Sequence, residues 1–185
     1  ENGGEIKVAK VVGSPSGLRD EAKNLTGHIG IGHTRWATHG APTVDNAHPH
    51  TSQSGLFTVV HNGIIENYAE LKKELSENGF DFKSDTDTEV IAQMLEYLYS
   101  GDLKGTVSAV LSRLKGSYAL GILCRDYPDS IVCAKLSSPL FVGVSSDCVF
   151  LASDVSALAE KSDRIFRVND GEIGILKKDG LKIFD

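Results

Sequence analysis

From Ser117 to its end the sequence reads as strands in series: SYALGILC, SIVCAK, PLFVGVS, CVFLAS, RIFRV, EIGILK and LKIF. The first is apolar almost throughout, as expected of a strand covered on both faces, and the later ones alternate more. One short helical stretch, SDVSALAEK, interrupts them. The block before it is of the opposite kind. Ile64, Tyr68, Leu71 and Leu75 recur at helical spacing until Asn78-Gly79 ends the run. A second helix opens at TDTE, where Thr86 and Glu89 have the spacing of a capping box, and Ile91, Met94, Leu95 and Leu98 form its stripe. Val107, Val110, Leu111 and Leu114 mark a third. Further upstream, EIKVAKVV alternates like a strand, SGLRDEAKNL follows a Ser cap as a short helix, and HIGIGHTR and LFTVVHNG read as strands. Strands, then helices, then strands in series predict one layered α+β domain with mainly antiparallel sheets.

Composition narrows the function. With 185 residues, 41% hydrophobic and 24% charged, the chain can bury the core of one globular domain. A net charge of -6 without any basic block argues against a nucleic-acid partner. No apolar run approaches the ~20 residues that cross a bilayer, and no signal peptide opens the sequence, so no membrane is expected and the location is read as cytoplasmic. Cys124, Cys133 and Cys148 are an odd number at wide spacings with no CxxC pair, which disfavours a disulfide framework or a thiolate metal site. Each lies in or beside an apolar run and reads as a buried structural thiol, not a nucleophile.

All six histidines fall between His28 and His61, most of them in the stretch GHTRWATHGAPTVDNAHPH. The spacings H-x5-H and H-P-H match neither HExxH nor a finger pattern, so a metal site is disfavoured. His33, His48, His50 and His61 are expected to make hydrogen bonds in a long, partly buried loop. Arg35, beside Trp36 and followed by Thr38 and Gly40, offers a bidentate fork for a carboxylate or phosphate, although a structural ion pair accounts for it equally. In HNG, the Asn62 amide and the Gly63 N–H are the equipment of an oxyanion hole, and Asn-Gly is also the commonest turn dipeptide. Asp87 complements a helix dipole, and a carboxylate that meets a ligand ammonium has the same appearance.

The order of these segments is more telling than any one of them. HTRWATHG, then NAHPH, HNGIIENY and SDTDTE, resembles the glutaminase domain of the glutamine–fructose-6-phosphate aminotransferase (glucosamine-6-phosphate synthase) family. The resemblance runs over essentially the whole chain, through GSYAL, SPLFVG and LASD to the terminal KIFD. It implies a four-layered αββα sandwich of the N-terminal-nucleophile hydrolase type, L-glutamine as substrate, and no metal or organic cofactor. By the same resemblance Arg35 holds the glutamine α-carboxylate with help from Thr38 and His39. Asp87 and Gly63 hold the α-ammonium, Asn62 and Gly63 form the oxyanion hole, and Trp36 belongs to a loop that closes over the substrate. A sugar-isomerising half would follow, in an enzyme that is a homodimer. The family's nucleophile is an N-terminal cysteine activated by its own α-amine. ENGGEIKVAK resembles a point roughly forty residues into that domain. The expectation is therefore a domain over 1–185 incomplete at its N-terminus, which alone binds glutamine poorly and does not hydrolyse it. Rival readings are the glutaminase domain of another class II amidotransferase and a non-catalytic glutamine-binding or interaction module.

Overall fold

In the computed structural model, which describes residues 4–35 and 40–185, the SYALGILC run lies inside a six-stranded sheet with strands on both sides of it. The order across the sheet is β1 (His50–Thr51), β2 (Phe57–Ile65), β3 (Gly116–Cys124), β4 (Ile131–Leu136), β8 (Ile173–Lys177) and β9 (Gly180–Phe184), all neighbours antiparallel. A three-stranded antiparallel sheet has the order β6 (Val149–Ala152), β5 (Phe141–Val144), β7 (Arg164–Arg167). Three helices, α2 (Tyr68–Glu77), α3 (Asp87–Leu98) and α4 (Leu103–Leu111), carry the expected stripes except for Ile64 and Leu114, which fall outside them.

Alternation along the strands divides the large sheet into two faces. Phe57, Val59 and Ile65 of β2, with Leu120, Ile122 and Cys124 of β3, meet Leu71 and Leu75 of α2, Ile91, Met94 and Leu95 of α3, and Val107 and Val110 of α4. On the opposite face Ala119 and Cys133 meet Leu140 and Val142 beside and in the small sheet. The layers are thus helices, large sheet, small sheet. Each fully buried Leu or Ile contributes about 1.5–3 kcal/mol relative to exposure, so these two seams hold the layers together. Helix α3 is buried without a break from Asp87 to Leu95, not along one stripe, because it packs on β1 and β2 while lying between α2 and α4. Its polar Gln93 is satisfied there, accepting from Gln53 N at 2.9 Å and donating to Asp81 O at 3.0 Å.

Four expectations are corrected. EIKVAKVV and HIGIGHTR form no strand: their alternation is present, but neither pairs with a neighbouring strand, and a strand exists only as part of a ladder. Ile64 belongs to β2 and not to the first helix, since β2 stays paired with β3 through Ile64↔Ser117 and Ile65↔Gly116. The stretch SDVSALAEK holds only a 3-10 turn at Val155–Ala157, capped by Asp154 accepting from Ser156 N at 2.8 Å. Cys148 is exposed, held in the β5–β6 turn by Cys148 N donating to Ser145 Oγ at 3.2 Å. The expected helix in SGLRDEAKNL is present as α1 (Pro15–Ala22), which has no buried residue.

Candidate active site

Asn62 and Gly63 lie within β2, not in a turn, with Asn62 opposite Ala119 and Gly63 opposite Tyr118. The turn reading of HNG therefore does not hold. His61 points to the helix side of the sheet and Asn62 to the other. Gly63 has φ 132°, and a Cβ there would lie 2.1 Å from the Ser117 carbonyl oxygen. Only glycine fits both the backbone angle and the gap, so the strand passes β3 with its backbone bare at this point.

The N-terminus of α3 is tied to the same place. Asp87, in the first helical turn and buried, accepts the Ile65 N–H at its Oδ2 at 2.8 Å. Its carboxylate thus holds β2 two residues past Gly63, in addition to any favourable interaction with the helix dipole. Thr86 caps the helix by accepting from Glu89 N at 3.4 Å. Glu89 reaches further back than a capping box requires. It accepts from Lys83 N at 2.9 Å, Ser84 N at 2.7 Å and Ser84 Oγ at 2.6 Å.

Arg35 extends its fork to two carbonyls of its own loop, Gly40 O at 3.0 Å and Ala41 O at 3.2 Å. Asn46 shares the second, with Nδ2 3.0 Å from Ala41 O, while its Oδ1 accepts from Asp85 N at 2.9 Å. The loop that carries Arg35 is therefore fastened to the entrance of α3. NAHPH contains this fastener, yet an Asn in a loop announces only local turn chemistry, so the role of Asn46 was not readable from the sequence.

The histidines form a connected set. His33 and His48 stack at 4.2 Å between centroids, and His50 meets His48 edge-on at 4.9 Å. His61 has Nδ1 3.0 Å from Thr88 Oγ1 and Nε2 3.4 Å from the Ser117 carbonyl. That carbonyl can only accept, so Nε2 carries the proton and Nδ1 accepts from the threonine. His50 Nε2 lies 3.1 Å from Thr86 Oγ1, and His48 Nδ1 accepts the His61 N–H at 3.4 Å. Burial, with the neighbouring cationic and imidazole groups, pushes His48 down to about 2 and His50 to about 3, and burial lowers His33 and His61 as well. The set is neutral at physiological pH. Its bonds are to side chains of α3 and β2 as much as to backbone, which the sequence did not indicate.

A cavity of about 160 Å³ brings the predicted site together: Arg35, Asn62, Gly63 and Asp87 line it, with His33 and His61. An arginine and a carboxylate lining one cavity suit a zwitterion, and an amide next to a bare backbone suits a carbonyl whose oxygen gains charge. Trp36, Thr38 and His39 lie outside the described residues. None of the three cysteines lines the cavity. Cys124 and Cys133 are buried in the cores, burial pushing the Cys133 thiol up to about 12 and raising Cys124 too, the reverse of what activates a thiol.

The fold agrees with the comparisons. The profile of the glutamine amidotransferase domain family matches residues 33–160, and the chain belongs to that family. The glutamine–fructose-6-phosphate aminotransferase (isomerizing) of Caldanaerobacter subterraneus subsp. tengcongensis is 51% identical over 184 residues, covering 98% of this chain and 30% of that protein. The corresponding enzyme of Fusobacterium nucleatum is 47% identical over 182 residues, with 97% of this chain and 30% of its own length covered. The chain thus spans about 30% of the length of these curated relatives. Among solved structures, the glutamine phosphoribosylpyrophosphate amidotransferase of B. subtilis superposes with a TM-score of 0.69 at 28% identity, covering 82% of this chain and 33% of that one. The fold is accordingly that of the N-terminal-nucleophile amidotransferases, with antiparallel sheets.

Proposed function

We propose that residues 1–185 belong to the glutamine-hydrolysing domain of an enzyme that makes glucosamine 6-phosphate from fructose 6-phosphate. The observation that carries this reading is the convergence of Arg35, Asn62, Gly63 and Asp87, from three separate segments, on one cavity. In it L-glutamine binds with its α-carboxylate on Arg35, assisted by Thr38 and His39, and its α-ammonium on Asp87 and Gly63. The carboxamide oxygen then faces the Asn62 amide and the Gly63 N–H, where negative charge develops in the tetrahedral intermediate. Trp36 closes over the substrate. The nucleophile is a cysteine N-terminal to these residues, whose α-amine takes the thiol proton. Thiolate attack on the carboxamide carbon expels ammonia and leaves a thioester, and water then releases glutamate and restores the thiol. Ammonia passes to a sugar-isomerising half of the same polypeptide, in a homodimeric enzyme. A cytoplasmic location fits three thiols with no disulfide among them.

A rival reading is a glutamine-binding module without turnover. Glutamate release separates the two, measured on the 185-residue chain and on the chain extended through the cysteine-bearing segment of its gene. The expected result is turnover by the extended chain alone. Arg35→Ala in that chain is expected to lose about 2–5 kcal/mol of glutamine binding, as for one half of a buried charge pair. Binding without turnover in both forms supports the module instead, and an extended chain that neither binds nor hydrolyses glutamine overturns both readings.

A further inference from the structure

Asn62 is an amide, and an amide has two ends. Presented to a developing oxyanion, its Nδ2 donates hydrogen bonds, whereas its Oδ1 repels the charge. A rotation of half a turn about one side-chain bond therefore converts a stabilising group into a destabilising one. Something must choose the orientation. The sequence of β2 does not, because the strand ladder fixes only the backbone.

Within hydrogen-bond distance is His33, whose Nε2 lies 2.7 Å from Asn62 Oδ1. The other ring nitrogen, Nδ1, is buried and has no hydrogen-bond partner among the described residues. A proton on Nδ1 would leave that N–H unpaired and set the bare Nε2 lone pair against the Oδ1 lone pairs. A proton on Nε2 removes both penalties. The ring itself has little freedom: it stacks on His48 at 4.2 Å, and His48 in turn accepts the His61 backbone N–H from β2. Burial, together with the positive charge of Arg35, keeps the His33 imidazole neutral against the opposing effect of its bond to Asn62.

We propose that His33 is a positioning residue for glutamine hydrolysis: its Nε2–H holds Asn62 Oδ1, so that the Nδ2 donors are the end of the amide turned to the oxyanion in the shared cavity. His33 does not touch the reacting atoms; it acts through Asn62. The inference rests on the glutaminase reading above, and it adds a residue to which no role in the reaction has been given.

Two substitutions separate the donor from the ring. His33→Phe keeps an aromatic plate on His48 and removes the N–H, and His33→Gln restores a side-chain N–H within reach of Asn62. In the chain extended through its cysteine, His33→Phe is expected to lower kcat about 10- to 100-fold with the glutamine KM little changed, approaching the loss of an oxyanion donor. His33→Gln is expected to recover most of that loss. Equal kcat in His33→Phe and the unaltered protein overturns the proposal, as does an equal loss in both variants, which would mark a packing role. Nitrogen-15 NMR of the histidine rings in the 185-residue chain gives a readout without turnover. A neutral His33 protonated at Nε2, with the Asn62 side-chain amide signals shifted by His33→Phe, supports the proposal, and a ring protonated at Nδ1 overturns it. If the unaltered extended chain shows no glutaminase activity, the functional reading falls, and the tautomer still decides whether His33 orients Asn62.

Discussion

At the scale of single residues, the site depends on a glycine and a carboxylate that each meet two demands. Gly63 must adopt a positive φ and also leave room for the Ser117 carbonyl, which a Cβ would approach to 2.1 Å. Gly63→Ala is therefore expected to destabilise the fold by roughly 1–3 kcal/mol from the backbone conformation alone, with more from displacement of β3. A lowered urea midpoint at unchanged slope would register this, and an unchanged midpoint would mean that the two strands can separate locally at no cost. Asp87 faces the cavity and at the same time accepts the Ile65 N–H. A carboxylate with one oxygen engaged by backbone is held in place before any ligand arrives, so less ordering remains to be done on binding.

At the scale of elements, the beginning of α3 is the junction of the site. Thr86 caps the helix, Asp87 grips β2, Asn46 joins the Arg35 loop to Asp85, and His50 and His61 reach Thr86 and Thr88. Glu89, itself buried, organises the approach to this turn by accepting two backbone N–H groups and one hydroxyl, the two donors of Ser84 buried and that of Lys83 partly so. Glu89→Ala removes the acceptor and leaves those donors unpaired, at a cost of about 1–3 kcal/mol for each buried group left unsatisfied. Thermal unfolding followed by circular dichroism is expected to show a fall of several degrees, and Glu89→Gln, which retains one acceptor oxygen, a smaller one. Equal melting of Glu89→Ala and the unaltered chain would show that the loop from Lys83 to Thr86 is held by other means.

At the scale of the whole molecule, the buried histidines make stability depend on pH. His48 and His50 have folded values of about 2 and 3, below the ordinary histidine value of 6.5. Through these two groups the unfolded chain binds more protons between pH 6.5 and about 3, so their contribution to stability is fully present above pH 6.5 and is lost as pH falls through that window. Each such histidine contributes a slope of about 1.4 kcal/mol per pH unit where only the unfolded form is protonated. Denaturant unfolding at pH 7.5 and 5.0 checks this: the expected result is a clear loss at the lower pH, made shallower by His50→Gln. A flat profile would mean that the histidines are charged in the folded protein.

Much of this protein was settled by its sequence alone. The helix block and the strand series follow from hydrophobic period, because burial on one face repeats every 3.6 residues in a helix and every two in a strand. Arg35, Asn62, Gly63 and Asp87 could be singled out because their chemistry is carried by residue type in a particular order. What the sequence left open was every question of partnership. Whether EIKVAKVV and HIGIGHTR are strands depends on a neighbour to pair with, and alternation within a segment says nothing about that neighbour. Whether HNG turns or continues depended on β3, more than fifty positions away, and the full burial of α3 on elements that pack against it from several sides. The same holds for His33 and Asn46, whose roles exist only where another segment supplies Asn62 or Asp85. Local physics marks which residues can do chemistry, and only the tertiary structure decides which of them meet.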